Sequence, residues 1–485
     1  MKILIAASEA FPFCKTGGLA DVTGALAQVF SRMPDAEVVL FLPRYRNVGG
    51  GAFSPKATGG SFLIPVGSRV ETATMSRVQW GKVAVYFLEN PKYFDRPGLY
   101  RTATGDYEDN DERFIFFSRA VLEGAKFIGF KPDVIHCHDW QTGLIPAYMR
   151  TLYRIDSFYS KTASVFTIHN IAYQGMFPKE TLLKAGFSWM DFTPEKLEYY
   201  GGVNFMKAGL AYSDLITTVS PTYAGEIQYR PEFGHGMEGL LKHRTADLFG
   251  ILNGIDEEIW DPATDTFLDR GYELKSFARG KAAAKKSLQK ELGLEENKDL
   301  ILAGVVSRLD RQKGLDILLR AAPDFLDKMQ FVVLGAGDPG LSDAFTALAA
   351  EHPKRVAFRS GFDEEFAHRI YGGSDIFVMP SRFEPCGLSQ MIAMRYGALP
   401  VVTRTGGLKD TVFYNGEPKD SNGFAIDDPD ESQLRSVLGH IVSLYAWREN
   451  WSMMVRNAMR GDYSWGKSAE AYVKLFAIAA QRRQL

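Results

Sequence analysis

The sequence predicts an α/β protein of two doubly wound domains, each a parallel sheet covered by helices on both faces. Three observations carry this. Short apolar runs of strand length alternate with longer amphipathic stretches along most of the chain. The runs are apolar at successive positions rather than at every second one, as strands buried on both faces require. The rhythm loosens once, between "ILNGIDEEIWDP" and "DRGYELKSFARGKAAAKKSLQKELGL", and then restarts, in a chain of 485 residues, longer than one core usually supports.

The first set of elements runs "KILIAAS", a helical "DVTGALAQVFSRM", "EVVLFLP", "VAVYFLE", a helical "DERFIFFSRAVLEGAKFIGF", "DVIHCHDW", "SVFTIHN" and "DLITTVS". The second set includes "LILAGVVSRL", "KGLDILLRAAPDFL", "FVVLGAGD", "RVAFRSGF", "DIFVMPSR" and "LPVVTRTGG". A domain boundary near residue 255 is expected, giving domains 1–255 and 256–463. The final "SAEAYVKLFAIAAQRRQL" reads as an amphipathic helix able to pack on either domain. Ligands of such sheets bind beyond the carboxyl ends of strands, and two such domains are expected to form a cleft.

Composition narrows the function. With 56 basic and 58 acidic side chains and a formal charge of -2, nothing favours nucleic acid or an anionic membrane. An anionic ligand must then be met by locally placed cations. Three scattered cysteines, Cys14, Cys137 and Cys386, suit a reducing compartment. The first apolar run is too short for a signal peptide, and no run approaches the roughly 18 residues that span a bilayer, so a cytoplasmic protein is expected.

Candidate residues follow the strands. "KTGGLADV" at 15–22 and "RTGGLKDT" at 404–411 repeat TGGL-x-D behind a cation. Paired glycines at such a junction would leave backbone N–H groups facing an anion, with Lys15 adding a charge; the alternative is a tight turn with an exposed lysine. In "HCHDW", His136 and His138 fall on one face and Cys137 and Asp139 on the other, which argues against a four-ligand metal site. Asp139 and Trp140 could meet a polyhydroxylated ligand, unless Asp139 caps the helix that follows. His169 and Asn170 end the next strand. Arg308 and Lys313 share the first junction of the second domain, suiting a phosphate. In "SRFEPCGLSQ", Glu384 precedes Pro385, Cys386, Gly387 and Leu388 at an expected helix start, where it could cap free N–H groups or stabilise an oxocarbenium-like sugar. "LGAGDPG", with Gly335, Gly337 and Gly340 and Asp363 further on, offers a competing dinucleotide-binding reading, although it follows the second strand of its domain.

Taken together, "KTGGLADV", "HCHDW", "FTIHNIAYQGMF", "VSRLDRQKGLD", "PSRFEPCGLSQ" and "TRTGGLKDTV" resemble the bacterial glycogen synthases and plant starch synthases, in order from residue 1 to at least 465. The resemblance implies a GT-B fold: two Rossmann-like domains facing a cleft, with the helix at 464–485 packing back on the first. It implies transfer of glucose from ADP-glucose to the non-reducing end of an α-1,4-glucan such as glycogen, with retention; because three cations and helix N-termini can carry the leaving group's charge, no metal and no cofactor are expected. The strings "DND" at 109–111 and "DPD" at 428–430 are read as loop or helix-cap carboxylates. By the same resemblance, Glu384, His169, Asp139, Lys313 and Arg308 carry the chemistry. Lys15, Gly18, Asn170, Cys386, Gly387, Leu388, Thr405, Gly406 and Gly407 bind substrate, Lys15 with Arg308 and Lys313 at the diphosphate. The second TGGL turn would add backbone N–H groups. Many retaining relatives carry a second acid eight residues after the first; here Ile392 stands there, so nucleotide preference stays open between ADP- and UDP-glucose, and a catalytically silent sugar-nucleotide binder remains an alternative.

Overall fold

The computed structural model describes residues 1–48, 53–102 and 104–483. The chain divides into two compact units. One comprises Met1–Val219, Ala224–Ile251 and Trp465–Leu485, the other Ser220–Tyr223 and Leu252–Ser464.

The first unit is built on a sheet whose parallel strands run in the spatial order Leu248–Gly250, Leu215–Thr218, Ala163–Ile168, Val134–His138, Lys2–Ala6, Glu37–Pro43 and Val83–Glu89. The central three strands are buried at almost every position, which explains why their sequences do not alternate. An antiparallel extension, led by Arg69–Trp80, continues the sheet past Val83–Glu89. Its polar, half-exposed residues do not read as a buried strand, and it is absent from the sequence expectation. The helix Trp465–Arg482 belongs to this unit, with Tyr472 and Phe476 packed edge-on against Phe30 or His136. Residues 484 and 485 of the expected terminal helix lie outside the described residues.

The second unit is a six-stranded, wholly parallel sheet. Its order is Val356–Ser360, Met329–Gly335, Ile301–Val306, Ile376–Met379, Leu399–Thr403 and Phe424–Ile426. Numbered along the chain this is 3-2-1-4-5-6, the order of a dinucleotide-binding sheet.

In both sheets the first strand sits where the winding reverses. Lys2–Ala6 lies between Glu37–Pro43 and Val134–His138, and Ile301–Val306 lies between Met329–Gly335 and Ile376–Met379. Beyond the carboxyl ends at such a reversal the crossovers part to opposite faces and leave a crevice. The chain segments that leave these strands are those of Glu9 to Gly18, Asp139, Arg308 to Gly314, and Pro380 to Leu388.

Candidate active site

In the second unit, two loops meet at the reversal. Gly314 has φ of 64°, and a Cβ there would lie 2.0 Å from the Pro380 carbonyl oxygen, so glycine alone permits the approach. The Gln312 side chain donates to the Phe383 carbonyl at 3.1 Å, and the main-chain carbonyl of Gln312 accepts from the Arg382 N–H at 2.8 Å. Arg382 grips Asp316 through two nitrogens at 2.8 and 2.9 Å. With both loops fixed, Lys313 Nζ lies 2.6 Å from Glu384 Oε2, and Ser381 Oγ donates to the same oxygen at 3.3 Å. This ion pair is largely buried. Arg308 differs, with 55% of its side chain exposed and its guanidinium on Asp310 at 2.9 Å. The two cations of this loop therefore have different work: one neutralises Glu384 and the other stands in solvent.

The expectation of a helix starting at Pro385 is corrected: the helix spans Ser389–Arg395. Residues 384 to 388 form a loop because Gly387 takes φ of 74°, where a helix cannot continue. Glu384 is thus no helix cap. Cys386 is buried, and burial pushes its thiol up to about 12, so it is not a nucleophile at neutral pH.

The second TGGL segment supports this loop from behind. Gly406 has φ of 42° and a Cβ on it would lie 2.0 Å from the Glu384 carbonyl oxygen; one on Gly407 would lie 2.3 Å from that of Cys386. The Gly407 N–H donates to the carbonyls of Glu384 and Pro385 at 3.3 and 3.1 Å, and Thr405 and Leu408 donate to Thr403 and Thr405. The expectation that this turn offers its N–H groups to a ligand is corrected for these three residues. They are spent inside the unit. Its aspartate, Asp410, accepts from the Thr222 N–H at 2.8 Å and hydroxyl at 2.6 Å, and Ser220 Oγ donates to the Pro385 carbonyl at 2.6 Å. Neither contact is visible in the sequence pattern.

In the first unit the resemblance between the two TGGL segments ends. Gly17 and Gly18 lack positive φ, and an added Cβ on either meets nothing within 4 Å. Glu9, buried just past the first strand, accepts from the Thr16 N–H at 2.5 Å, the Gly17 N–H at 3.3 Å, the Thr16 hydroxyl at 2.8 Å and the Tyr100 hydroxyl at 2.8 Å. A carboxylate therefore already occupies part of the expected anion position, and those two N–H groups are removed from it. Among the described residues, no partner bonds the N–H of Gly18 or Leu19, the next two along the helix Gly18–Arg32. Lys15 is half exposed and pairs with Asp21 at 2.7 Å, so the aspartate of this TGGL-x-D holds the lysine in front of it. Glu9 was not a candidate in the sequence; its role depends on the path of the loop.

Asp139 follows the adjacent strand at φ of 54° and ψ of -178°, a conformation costing about 1–3 kcal/mol for a residue with a side chain. It does not cap the short helical turn Trp140–Thr142. Instead its Oδ1 accepts the His169 N–H at 2.8 Å, with the Asn170 N–H also on the carboxylate, tying together the ends of two neighbouring strands. Burial raises its carboxyl to about 7 against those two N–H groups, and the charge of Glu9 adds to the rise. Trp140, the neighbour expected to meet the same ligand, is held in an aromatic cluster. Its ring packs 4.9 Å from Phe114 and 5.8 Å from Phe177, and Gly175 leaves room only for the indole.

His169 Nε2 lies 2.9 Å from His138 Nδ1, and the His136 and His138 rings are 4.0 Å apart. Burial pushes His136 and His169 down to about 3 and His138 well below its usual value. A histidine kept neutral by folding contributes stability that is complete above its unfolded pKa near 6.5 and is lost as pH falls toward 3. Asp139, raised to about 7, works the other way, holding a proton in the fold that the unfolded chain releases. Three imidazoles outweigh one carboxyl, so these groups should cost stability at about 2–3 kcal/mol per pH unit in the window from 6.5 toward 4. Thermal melting from pH 7.5 to 4.5 checks this, and removing one imidazole, as in His136→Gln, should make the fall shallower by about one proton.

The competing dinucleotide motif loses its support. The glycines of "LGAGDPG" serve packing: a Cβ on Gly335 would lie 2.1 Å from the Ser307 carbonyl oxygen, and one on Gly337, at φ of 151°, 2.2 Å from that of Leu309. Asp363, which a dinucleotide ribose would need, caps the helix Glu364–Gly373 through the Phe366 N–H at 2.9 Å and pairs with Arg359 at 3.0 Å. In "DND", Asp109 is clamped by Arg96, and Asp111 is buried against Thr181 and Lys184, which corrects the loop-carboxylate reading for Asp111. In "DPD", Asp430 caps the helix Glu431–Tyr445.

The chain matches two family models: the starch synthase catalytic domain over residues 2–243 and glycosyl transferases group 1 over residues 301–443. It is 54% identical to the glycogen synthase of Elusimicrobium minutum over 98% of this chain and 99% of that one. It is 47% identical to the glycogen synthase of Syntrophotalea carbinolica, with 99% of each chain covered. The solved catalytic domain of starch synthase IV from Arabidopsis thaliana, bound to ADP and acarbose, is similar with a TM-score of 0.91 at 33% identity over 99% of both chains. The sucrose-phosphate synthase of Thermosynechococcus elongatus shares the fold, with a TM-score of 0.61 at 17% identity. No helix among the described residues is long and apolar enough to cross a membrane. Full-length likeness of this degree, carried by two Rossmann-like units with charged loops at both winding reversals, establishes that the chain belongs to the family of bacterial glycogen synthases and starch synthases, glycosyltransferases of the GT-B fold.

Proposed function

We propose that this glycosyltransferase moves glucose from ADP-glucose to the non-reducing end of an α-1,4-glucan, with retention and without a metal, in glycogen biosynthesis in the cytoplasm. The observation that carries the reading is the Lys313–Glu384 pair at 2.6 Å, held at the winding reversal of the second unit by glycines that tolerate no Cβ. The leaving group is a nucleoside diphosphate whose negative charge grows as the glycosidic bond breaks. Lys313, Arg308 and Lys15 stabilise that charge as cations brought onto the diphosphate. Glu384, freed to accept sugar hydroxyls as Lys313 turns toward phosphate, supplies negative charge near the cationic glucosyl group.

Asp139 holds the backbone of His169 and Asn170 beside the sugar, and the His169 carbonyl steadies the anomeric carbon during front-face attack. The acceptor hydroxyl loses its proton to the departing phosphate. Gly18 keeps open the space that an added Cβ would take, while Gly387 and Leu388 shape the sugar loop with Cys386 behind it. Thr405, Gly406 and Gly407 act through their support of Glu384, the Thr405 and Gly407 N–H groups being already bonded. The first unit takes the glucan and the second the nucleotide. That a starch synthase has been solved with ADP and acarbose supports both halves of this reading.

Incubation with ADP-glucose and a glycogen primer in the presence of a chelator tests it. ADP release matched by polymer growth is expected, at a higher rate than with UDP-glucose. Tight ADP binding without turnover would leave a silent binder, and a requirement for divalent cation would remove the metal-free mechanism.

A further inference from the structure

We propose that His138 is a positioning residue that fixes His169 as its Nδ1–H tautomer, so that the ring presents a hydrogen-bond donor rather than a base. This rests on the reading in which His169 meets the glucosyl group.

His138 Nδ1 and His169 Nε2 are 2.9 Å apart, so between two neutral rings one nitrogen donates and the other accepts. The other nitrogen of His138, Nε2, is buried with no partner among the described residues. If the single proton of His138 sat on Nε2, a buried N–H would be orphaned; on Nδ1, only a lone pair goes unmet. Orphaned buried donors are the rarer case in folded proteins, and leaving a buried group unpaired costs about 1–3 kcal/mol. The proton therefore sits on Nδ1 and is donated to His169 Nε2. His169, already accepting at Nε2, must carry its own proton on Nδ1, for which no partner exists among the described residues.

The same asymmetry orders the neighbour. His136 Nδ1 is buried without a partner, while Nε2 lies 2.7 Å from Thr167 Oγ1, which is 2.6 Å from Thr217 Oγ1. His136 thus donates from Nε2, with the opposite tautomer, and the hydroxyls continue the chain across three strands. Its ring packs 4.0 Å from that of His138 and is backed by Tyr472 and Phe476 at 5.2 Å. Burial keeps all three rings neutral, which is the condition for a defined tautomer.

Nitrogen NMR of the full-length protein with labelled histidine reads each ring directly; the chain has 8 histidines, and single substitutions assign them. The expected spectrum has His169 protonated at Nδ1 and His138 at Nδ1. His138→Leu should lower kcat by about 10- to 100-fold with a much smaller change in KM for ADP-glucose, and mix the tautomers of His169. His138→Asn, whose side-chain amide can donate from the same place, should restore both. A wild-type spectrum with His169 protonated at Nε2, or a His138→Leu enzyme with wild-type kcat and an unchanged His169 ring, overturns the role of His138. A wild-type rate in His169→Ala, which keeps the main-chain carbonyl, with the Nδ1–H form intact in the parent overturns instead the assignment of the sugar to the His169 ring.

Discussion

Replacing Glu384 with Gln is expected to lower turnover by about 100-fold or more while ADP affinity changes by less than about 3-fold. The substitution keeps the shape and one acceptor oxygen but removes the charge that faces Lys313 at 2.6 Å. Charge matters most when the glucosyl group becomes cationic, so the loss falls on the transition state rather than on nucleotide binding. Lys313, left without its counter-ion in a largely buried place, can still meet phosphate. Steady-state kinetics and an ADP titration separate the two effects. Equal losses in both would make Glu384 a nucleotide-binding residue, and an unchanged rate would end its catalytic role.

The second large effect is expected from glycines. Gly406→Ala and Gly407→Ala should destabilise the second unit by about 3 kcal/mol or more, since each places a Cβ within 2.3 Å of a carbonyl oxygen of the Glu384 loop and one also requires positive φ. Gly18→Ala should behave oppositely. Nothing lies within 4 Å of its Cβ, and alanine in a first helical turn is no worse for stability, so its melting temperature should hold or rise slightly. Its cost should appear as a raised KM for the sugar nucleotide, if the open space is where the donor lies. Melting curves and KM values for the three alanine variants at 18, 406 and 407 check this. A stable Gly406→Ala protein with full activity would contradict the support role of the second TGGL turn.

The contrast shows what the sequence could and could not carry. The buried strands are legible because burial on both faces removes polar residues from them, and the candidate residues are legible because they follow those strands. Spatial strand order is not written in local pattern, yet it is the order that brings the Lys313 loop beside the Glu384 loop. Two TGGL-x-D strings look alike because the local demand, a glycine-rich helix start, is alike. Their environments differ: Asp21 holds Lys15, whereas Asp410 holds Thr222, and one glycine pair borders open space while the other is pressed on backbone. Glu9 escaped notice, and His138 was weighed only as a metal ligand, for a related reason. Their partners, Thr16 and Tyr100 for one and His169 for the other, are set by loop paths and strand pairing rather than by spacing. Pro385 misled because proline suits an early helix position, while Gly387 two residues on forbids the helix.

Glucosyl transfer itself is tested by the linkage first formed from ADP-glucose labelled at the anomeric carbon on a short maltooligosaccharide, read by NMR without added metal. One new α-1,4-linked glucose at the non-reducing end is expected for each ADP released, and almost none with Glu384→Gln. A β-linked product, or ADP release without a lengthened oligosaccharide, would contradict it.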